Sequence, residues 1–318
     1  MSTEQMIVEL RRGTVVESRH RVHVAVVDGQ GALVAEAGDP QFVTFWRSAA
    51  KPFQAVPLVE DGAADRFKLT PEDLALICAS HSSEPAQVAR VRDLLQKVGC
   101  TERDLLCGPH RPLSEPVAKD YETRGVRLTA VYSNCSGKHA GMLALAKQHG
   151  WPTEFYTRLD HPVQQRCLAE VSRWTGMPAE EIGVAVDGCG VACFALPLVS
   201  MAIAYARLDG PIWDAMLRHP ELIAGEGRPC TEMMRAHPGR VITKVGAEGV
   251  YSAQLVREKI GVALKVEDGH SVASALAMAV VLGELGLRPQ PESLISRPTQ
   301  NSRGETVGEM RVNGGLVK

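Results

Sequence analysis

The chain has 318 residues, a formal net charge of -2, and 45% hydrophobic against 23% charged residues, the balance of an ordinary globular protein long enough for one large domain or two lobes. A near-neutral charge offers no field for nucleic acid or an anionic membrane, and aromatic residues at 5% are too few for a base-stacking surface.

The opening Met1-Ser2-Thr3-Glu4-Gln5 has neither the basic region nor the apolar core of a signal peptide. Met6–Leu10, Val22–Val27 and Ala32–Glu36 then read as strands, the last two joined by the hairpin signal Asp28-Gly29-Gln30-Gly31. Ser48–Val59 reads as a helix with a proline in its first turns. Pro71–Ala79 and Pro85–Val98 are two more, the second with Ser82 and Ser83 as caps and Glu84 near its first turn. Gly137–His149 and Val163–Trp174 are helical. Ile182–Val186 reads as a buried apolar strand ending at Asp187-Gly188-Cys189-Gly190. Cys193–Leu208 and Ile212–His219 read as helices, and Val241–Val245, Gln254–Arg257 and Val262–Val266 as strands. Ser271–Leu287 is Ala-rich and interrupted by Gly and Glu, a buried helix rather than a membrane span. A last strand is expected at Thr306–Val312. Strands come first and last and helices fill the middle, so the expected fold class is α/β. It would be one catalytic unit of two lobes: an antiparallel sheet from both chain ends, flanked by helices, and a mostly helical lobe from roughly residue 50 to 180. The eight cysteines lie at irregular intervals in a chain too large to need staples. That predicts reduced thiols in a cytoplasm, with Cys78, Cys167 and Cys193 as small core hydrophobes.

Five places could carry chemistry. In Phe45-Trp46-Arg47-Ser48-Ala49-Ala50-Lys51-Pro52-Phe53, a helix opened by Ser48 puts Lys51 one turn later on the same face, where its amine can take the Oγ proton. The helix N-terminus adds a positive dipole end for an oxyanion. An N-cap serine before a solvated lysine is the plain alternative, and the apolar flanks argue against it. Ser80-His81-Ser82-Ser83-Glu84 places three serines and a histidine at a helix junction, either for a reaction or as a capped turn. Tyr132–Gly141 packs polar groups into a tight turn before an apolar helix. It resembles a phosphate loop only superficially, because the glycine before Gly137-Lys138 is missing and His139 stands where a magnesium-binding Ser or Thr would. Asp187, in its glycine-rich turn, either caps that turn or offers a carboxylate to a substrate ammonium. Cys135 and Cys189 could share zinc with His139 or Lys138, although neither belongs to a Cys-x-x-Cys pair. Lys265 interrupts the apolar run Gly261–Val266. Alternation groups it with Ala263 and Glu267, facing solvent or, if that face meets a cleft, serving as a second general base.

Taken together, these segments resemble the bacterial asparaginase family typified by the inducible enzyme of Rhizobium etli. The resemblance runs from Val8-Glu9-Leu10-Arg11-Arg12-Gly13 and Glu17-Ser18-Arg19-His20 through the motifs above to Lys244-Val245-Gly246-Ala247-Glu248-Gly249 and the Lys265 strand. It implies a fold like serine β-lactamases and glutaminases, a homodimer, and hydrolysis of L-asparagine to L-aspartate and ammonia. It also implies two Ser–Lys pairs, Ser48 with Lys51 and Ser80 with Lys265; zinc on Cys135, Lys138 and Cys189; and Arg47, His139 and Asp187 in the substrate pocket. Lysine binds zinc only when neutral, so metal binding should weaken as pH falls, and the zinc is expected to position groups rather than generate hydroxide. The implied reaction passes through an acyl-enzyme. Ser48 is favoured as nucleophile because its lysine is local, with Ser80 and Lys265 completing a proton relay or activating the deacylating water. One alternative is a β-lactamase or D-amino-acid peptidase, against which no Lys-Thr-Gly or Ser-x-Asn appears in the expected order. The other is a non-catalytic metal-binding module.

Overall fold

The computed structural model describes residues 5–318. The chain forms two compact units: one gathers the chain up to Ala49, Ala195–Arg207 and Glu232–Lys318, the other Ala50–Phe194 and Leu208–Thr231. The strands, in chain order, are β1 (Met6–Arg12), β2 (Val15–Val27), β3 (Leu33–Ala37), β4 (Val43–Phe45), β5 (Gly183–Val186), β6 (Ala192–Pro197), β7 (Val241–Val245), β8 (Val250–Leu255), β9 (Ile260–Val266), β10 (Ser296–Gln300) and β11 (Thr306–Asn313).

The first unit is an antiparallel sheet in the order β10-β11-β1-β2-β9-β8-β7. β2 is long because it serves three neighbours. It pairs with β1 along Val15–Val22, with β3 along Val24–Val27, and with β9 along Val22–Val27. Helices Leu198–Arg207 and Ser271–Glu284 pack on this sheet. β8 is buried along its whole length and β9 from Gly261 onward, so both read as unbroken apolar runs rather than alternations. A Cβ at Gly261 would fall 1.9 Å from the Ala202 carbonyl oxygen, so a glycine here lets Leu198–Arg207 lie close against the strand.

The second unit is mostly helical. Lys51–Glu60 packs against Ser136–His149 and Pro162–Thr175, and Pro71–Ile77 against Ser136–His149 and Pro211–Arg218. Proline stands at the first helical position of Pro71–Ile77, Pro85–Val98, Pro162–Thr175 and Pro211–Arg218, where its fixed φ suits the helix and its missing N–H leaves nothing unpaired.

The α/β architecture is the expected one, with local departures. Cys193–Leu208 is not one helix: β6 comes first, and the helix starts at Leu198. Its Ala- and Leu-rich composition favours helix, but pairing with β4 (Thr44↔Leu196) overrides that preference. β4, β10 and helix Glu115–Thr123 carry little periodic signal. The strand expected at Gln254–Arg257 begins earlier, at Val250. The backbone amide of Glu84 donates to Gln87 Oε1 at 3.1 Å, so Glu84 rather than Ser82 or Ser83 sits at the N-cap of Pro85–Val98. β5 is exposed, with Val186 at 63%, and not the buried strand expected. All eight cysteines are free thiols, buried except for half-buried Cys189. No helix among the described residues is long and apolar enough to cross a membrane.

Candidate active site

Ser48 lies in the 3-10 turn Arg47–Ala50, and the α-helix proper starts at Lys51. Arg47 has φ +52, a left-handed backbone that side chains other than glycine rarely adopt and that clusters at functional positions. Lys51 is 1% exposed, which excludes a solvated lysine behind a capping serine. Its Nζ donates to the Ala79 carbonyl, lies 3.5 Å from the Asn134 carbonyl, and lies 3.2 Å from Ser80 Oγ. The amine is thus within hydrogen-bond reach of two carbonyls and a serine hydroxyl, close enough to exchange a proton with that alcohol.

The Ser80–Ser83 segment is buried throughout, so it is not a capped surface turn. The Ser80 amide donates to Ile223 O at 2.9 Å, and Ser82 Oγ donates to Ala224 O at 2.8 Å. Ser83 holds a left-handed φ of +62, secured by its Oγ donating to Tyr132 O at 2.7 Å and its carbonyl accepting from Tyr121 Oη at 2.7 Å. His81 is the pin: its Nδ1 accepts from the Ser83 amide at 3.1 Å, so its Nε2 donates to Ser136 Oγ at 2.8 Å, which in turn donates to Val131 O. Burial first, then the Lys51 charge, lowers the His81 pKa to about 3, so the ring stays neutral.

Helix Ser136–His149 has no exposed face through its first three turns. A Cβ at Gly137 would lie 2.4 Å from Leu76 O, so this helix and Pro71–Ile77, which leads to Ser80, touch backbone to backbone. Gly137→Ala should therefore lower stability by about 1–3 kcal/mol or more and reduce activity with it, read as a fall in Tm; an unchanged Tm would show that the contact is slack.

The same helix carries the sulfur and nitrogen cluster. Lys138 Nζ donates to Cys189 Sγ at 3.1 Å, and Cys135 Sγ donates to Asn134 Oδ1 at 2.9 Å. A hydrogen bond with Cys135 lowers the Cys189 thiol to about 5 against the opposing effect of burial, with Lys138 helping; the same contact and burial raise Cys135 to about 12. Burial disfavours the Lys138 ammonium, but Cys189, Cys135 and Asp187 outweigh it and push its pKa up. Two thiols and an amine are donor types that an ion such as zinc accepts. Among the described residues no three His, Cys, Asp or Glu side chains gather as a metal site, so the third donor would have to be the lysine. Half-buried Asp187 closes its own turn, accepting from the Gly188 amide at 2.7 Å. His139 is fully buried, and burial lowers its pKa to about 3.

Lys265 is 6% exposed and not solvent-facing. Its strand is covered on both faces, which removes the basis of the alternation argument. Its amine donates to the carbonyls of Glu248 at 2.7 Å, Val266, and Glu267 at 3.3 Å, so the lysine seen beside Ser80 within the second unit is Lys51. Two residues had no role in the sequence reading. Lys244 on β7 is wholly buried and donates to Val245 O at 2.9 Å; its signal was a lysine inside the apolar run Val241–Val245. Tyr156, fully buried against His139, left no signal in its polar loop.

The L-asparaginase II family model matches residues 8–312, and the chain belongs to that family, an asparaginase-type amidohydrolase family acting on small molecules. No curated protein matches the sequence. Similar solved structures include a β-lactamase from Mycobacterium bovis (14% identity, TM-score 0.35, covering 82% of this chain and 94% of that one). They also include a D-alanine carboxypeptidase from Burkholderia cenocepacia (11%, TM-score 0.38, 80% and 90%) and a Bacillus glutaminase (12%, TM-score 0.27, 80% and 85%). Likenesses at these scores carry nothing about chemistry.

Proposed function

We propose that the chain is an L-asparaginase of the zinc-containing, Ser–Lys tandem type, hydrolysing L-asparagine to L-aspartate and ammonia through a serine acyl-enzyme. The observation that carries the reading is the buried Lys51 amine, held at the carbonyls of Ala79 and Asn134 and 3.2 Å from Ser80 Oγ, with Ser48 one turn before it in the chain, in a chain of the L-asparaginase II family.

Ser48 is the proposed nucleophile. It attacks the side-chain carboxamide, and its proton passes to the lysine one 3-10 turn away and then to the departing ammonia. Ser80 suits the nucleophile's part less well, because its amide N–H is already committed to Ile223 O and an attacking serine commonly lends that N–H to the oxyanion. Ser80 instead extends the proton path from Lys51 and activates the water that releases aspartate. Lys265, whose pKa is lowered chiefly by burial, would act as a second base only after letting go of its carbonyls. Asp187 receives the substrate ammonium, Arg47 its carboxylate, and His139 an oxygen. A coupled ammonia assay on L-asparagine, beside L-glutamine and a chromogenic β-lactam, tests the reading. Turnover of the β-lactam alone would replace it with the peptidase-like alternative.

Zinc is proposed on Cys135, Lys138 and Cys189, where it would orient substrate or neighbouring side chains. Protons compete for the same three atoms, and a raised Lys138 pKa makes that competition strong. Zinc content of the purified protein is expected to fall on dialysis at acid pH and to be lost in Cys135→Ala. Equal zinc in the variant and the wild type would rule out this coordination.

A further inference from the structure

His139 makes one hydrogen bond through Nδ1, 2.7 Å from Tyr156 Oη, with the two rings set edge to face at 5.5 Å. Tyr156 Oη also accepts from the Leu106 amide at 3.0 Å. A phenol has one proton to give, and among the described residues the Tyr156 hydroxyl has no second acceptor than His139 Nδ1. The hydroxyl therefore donates to Nδ1, and a neutral imidazole that accepts at Nδ1 carries its proton at Nε2. Were the ring a cation, Nε2 would still carry a proton, so the result does not depend on its charge. That Nε2 is buried and has no partner among the described residues. The charges acting on the ring come from Lys138, Cys135, Lys51 and Asp187, the same residues as the candidate site.

We propose that Tyr156 is a positioning residue that holds His139 with its proton on Nε2, making it a fixed donor for a carboxylate or carboxamide oxygen of the substrate. A buried N–H without an acceptor is unfavourable, and a ligand oxygen removes that penalty, whereas an ammonium at the same point would meet a donor. The relay runs from the Leu106 amide through Tyr156 Oη to His139 Nδ1, so the loop carrying Leu106 helps set which substrate atom is accepted. The identity of that ligand rests on the asparaginase reading; the tautomer does not.

Long-range proton–nitrogen NMR on the full chain labelled with 15N-histidine tests the tautomer without any substrate, with His139 assigned from its missing signals in His139→Gln. The wild type should show the Nε2–H form. Tyr156→Phe keeps the ring and removes the hydroxyl; it should shift His139 toward the Nδ1–H form and weaken L-aspartate binding, by calorimetry, about tenfold. His139→Gln, which keeps an amide N–H near the Nε2 position, should bind L-aspartate more tightly than His139→Ala. An Nδ1–H wild type overturns the proposal, as does a Tyr156→Phe protein with unchanged tautomer and unchanged affinity. Should Tyr156→Phe not fold, equal losses in the Gln and Ala variants overturn it. A wild type that shows Nε2–H but binds no L-aspartate counts against the asparaginase reading and leaves the positioning role standing.

Discussion

Ser48→Ala should abolish ammonia release from L-asparagine while leaving the fold intact. Ser48 is half-buried in a 3-10 turn, so losing its Oγ opens no large cavity, and the melt should barely move. Activity should fall by several orders of magnitude, as it does when a serine that acts as a unit with its base is removed. Ser80→Ala separates the two serines. If Ser48 attacks and Ser80 serves deacylation, mass spectrometry of Ser80→Ala mixed with L-asparagine should find an aspartyl adduct on the peptide bearing Ser48. An adduct on Ser80 in the Ser48→Ala protein would reverse the assignment.

Lys51→Met is the second large effect. Methionine matches the apolar stem of the lysine and removes only the amine. Activity should fall about as far as in Ser48→Ala, and the double variant should be little worse than either single one, because serine and base form one unit. Stability should change little: the Ala79 and Asn134 carbonyls lose a donor, while the expense of burying an amine disappears. A fully active Lys51→Met would make the amine a structural strut between the Ala79 and Asn134 carbonyls and remove the main support for the proposed chemistry.

The Ser-x-x-Lys signal is local, four positions and their apolar flanks carrying all of it, and the structure adds to it a buried Lys51 amine 3.2 Å from Ser80 Oγ. Ser80 and the Asn134–Lys138 turn were legible as polar clusters before or after apolar helices, but their meeting point was not. Lys51 reaches Ser80 across 29 positions and the Asn134 carbonyl across 83, and no period in the sequence encodes such a reach. Tyr156 was invisible for a different reason: its role depends on a backbone amide, that of Leu106, which no side-chain pattern announces. Lys265 misled the alternation argument because period-two reasoning assumes one wet face, and β9 has none from Gly261 onward. The misread start of β6 came from a partner strand, β4, that lies about 150 residues earlier and is only three residues long.

The sheet of the first unit is stitched from distant parts of the chain. β1 finds one neighbour, β2, within a few residues and the other, β11, only at the far end, with Ile7 opposite Asn313. Contacts of that span form late, since a very long loop must close before they return anything. The second unit is nearly continuous from Ala50 to Phe194 and rich in short-range helical contacts, so during synthesis it can condense while β1 and β2 still wait beside it as a ribbon without β9 or β11. The half-made protein thus carries open strand edges until β11 has left the ribosome. A chain cut short before β11 would keep those edges for good and be drawn toward aggregation.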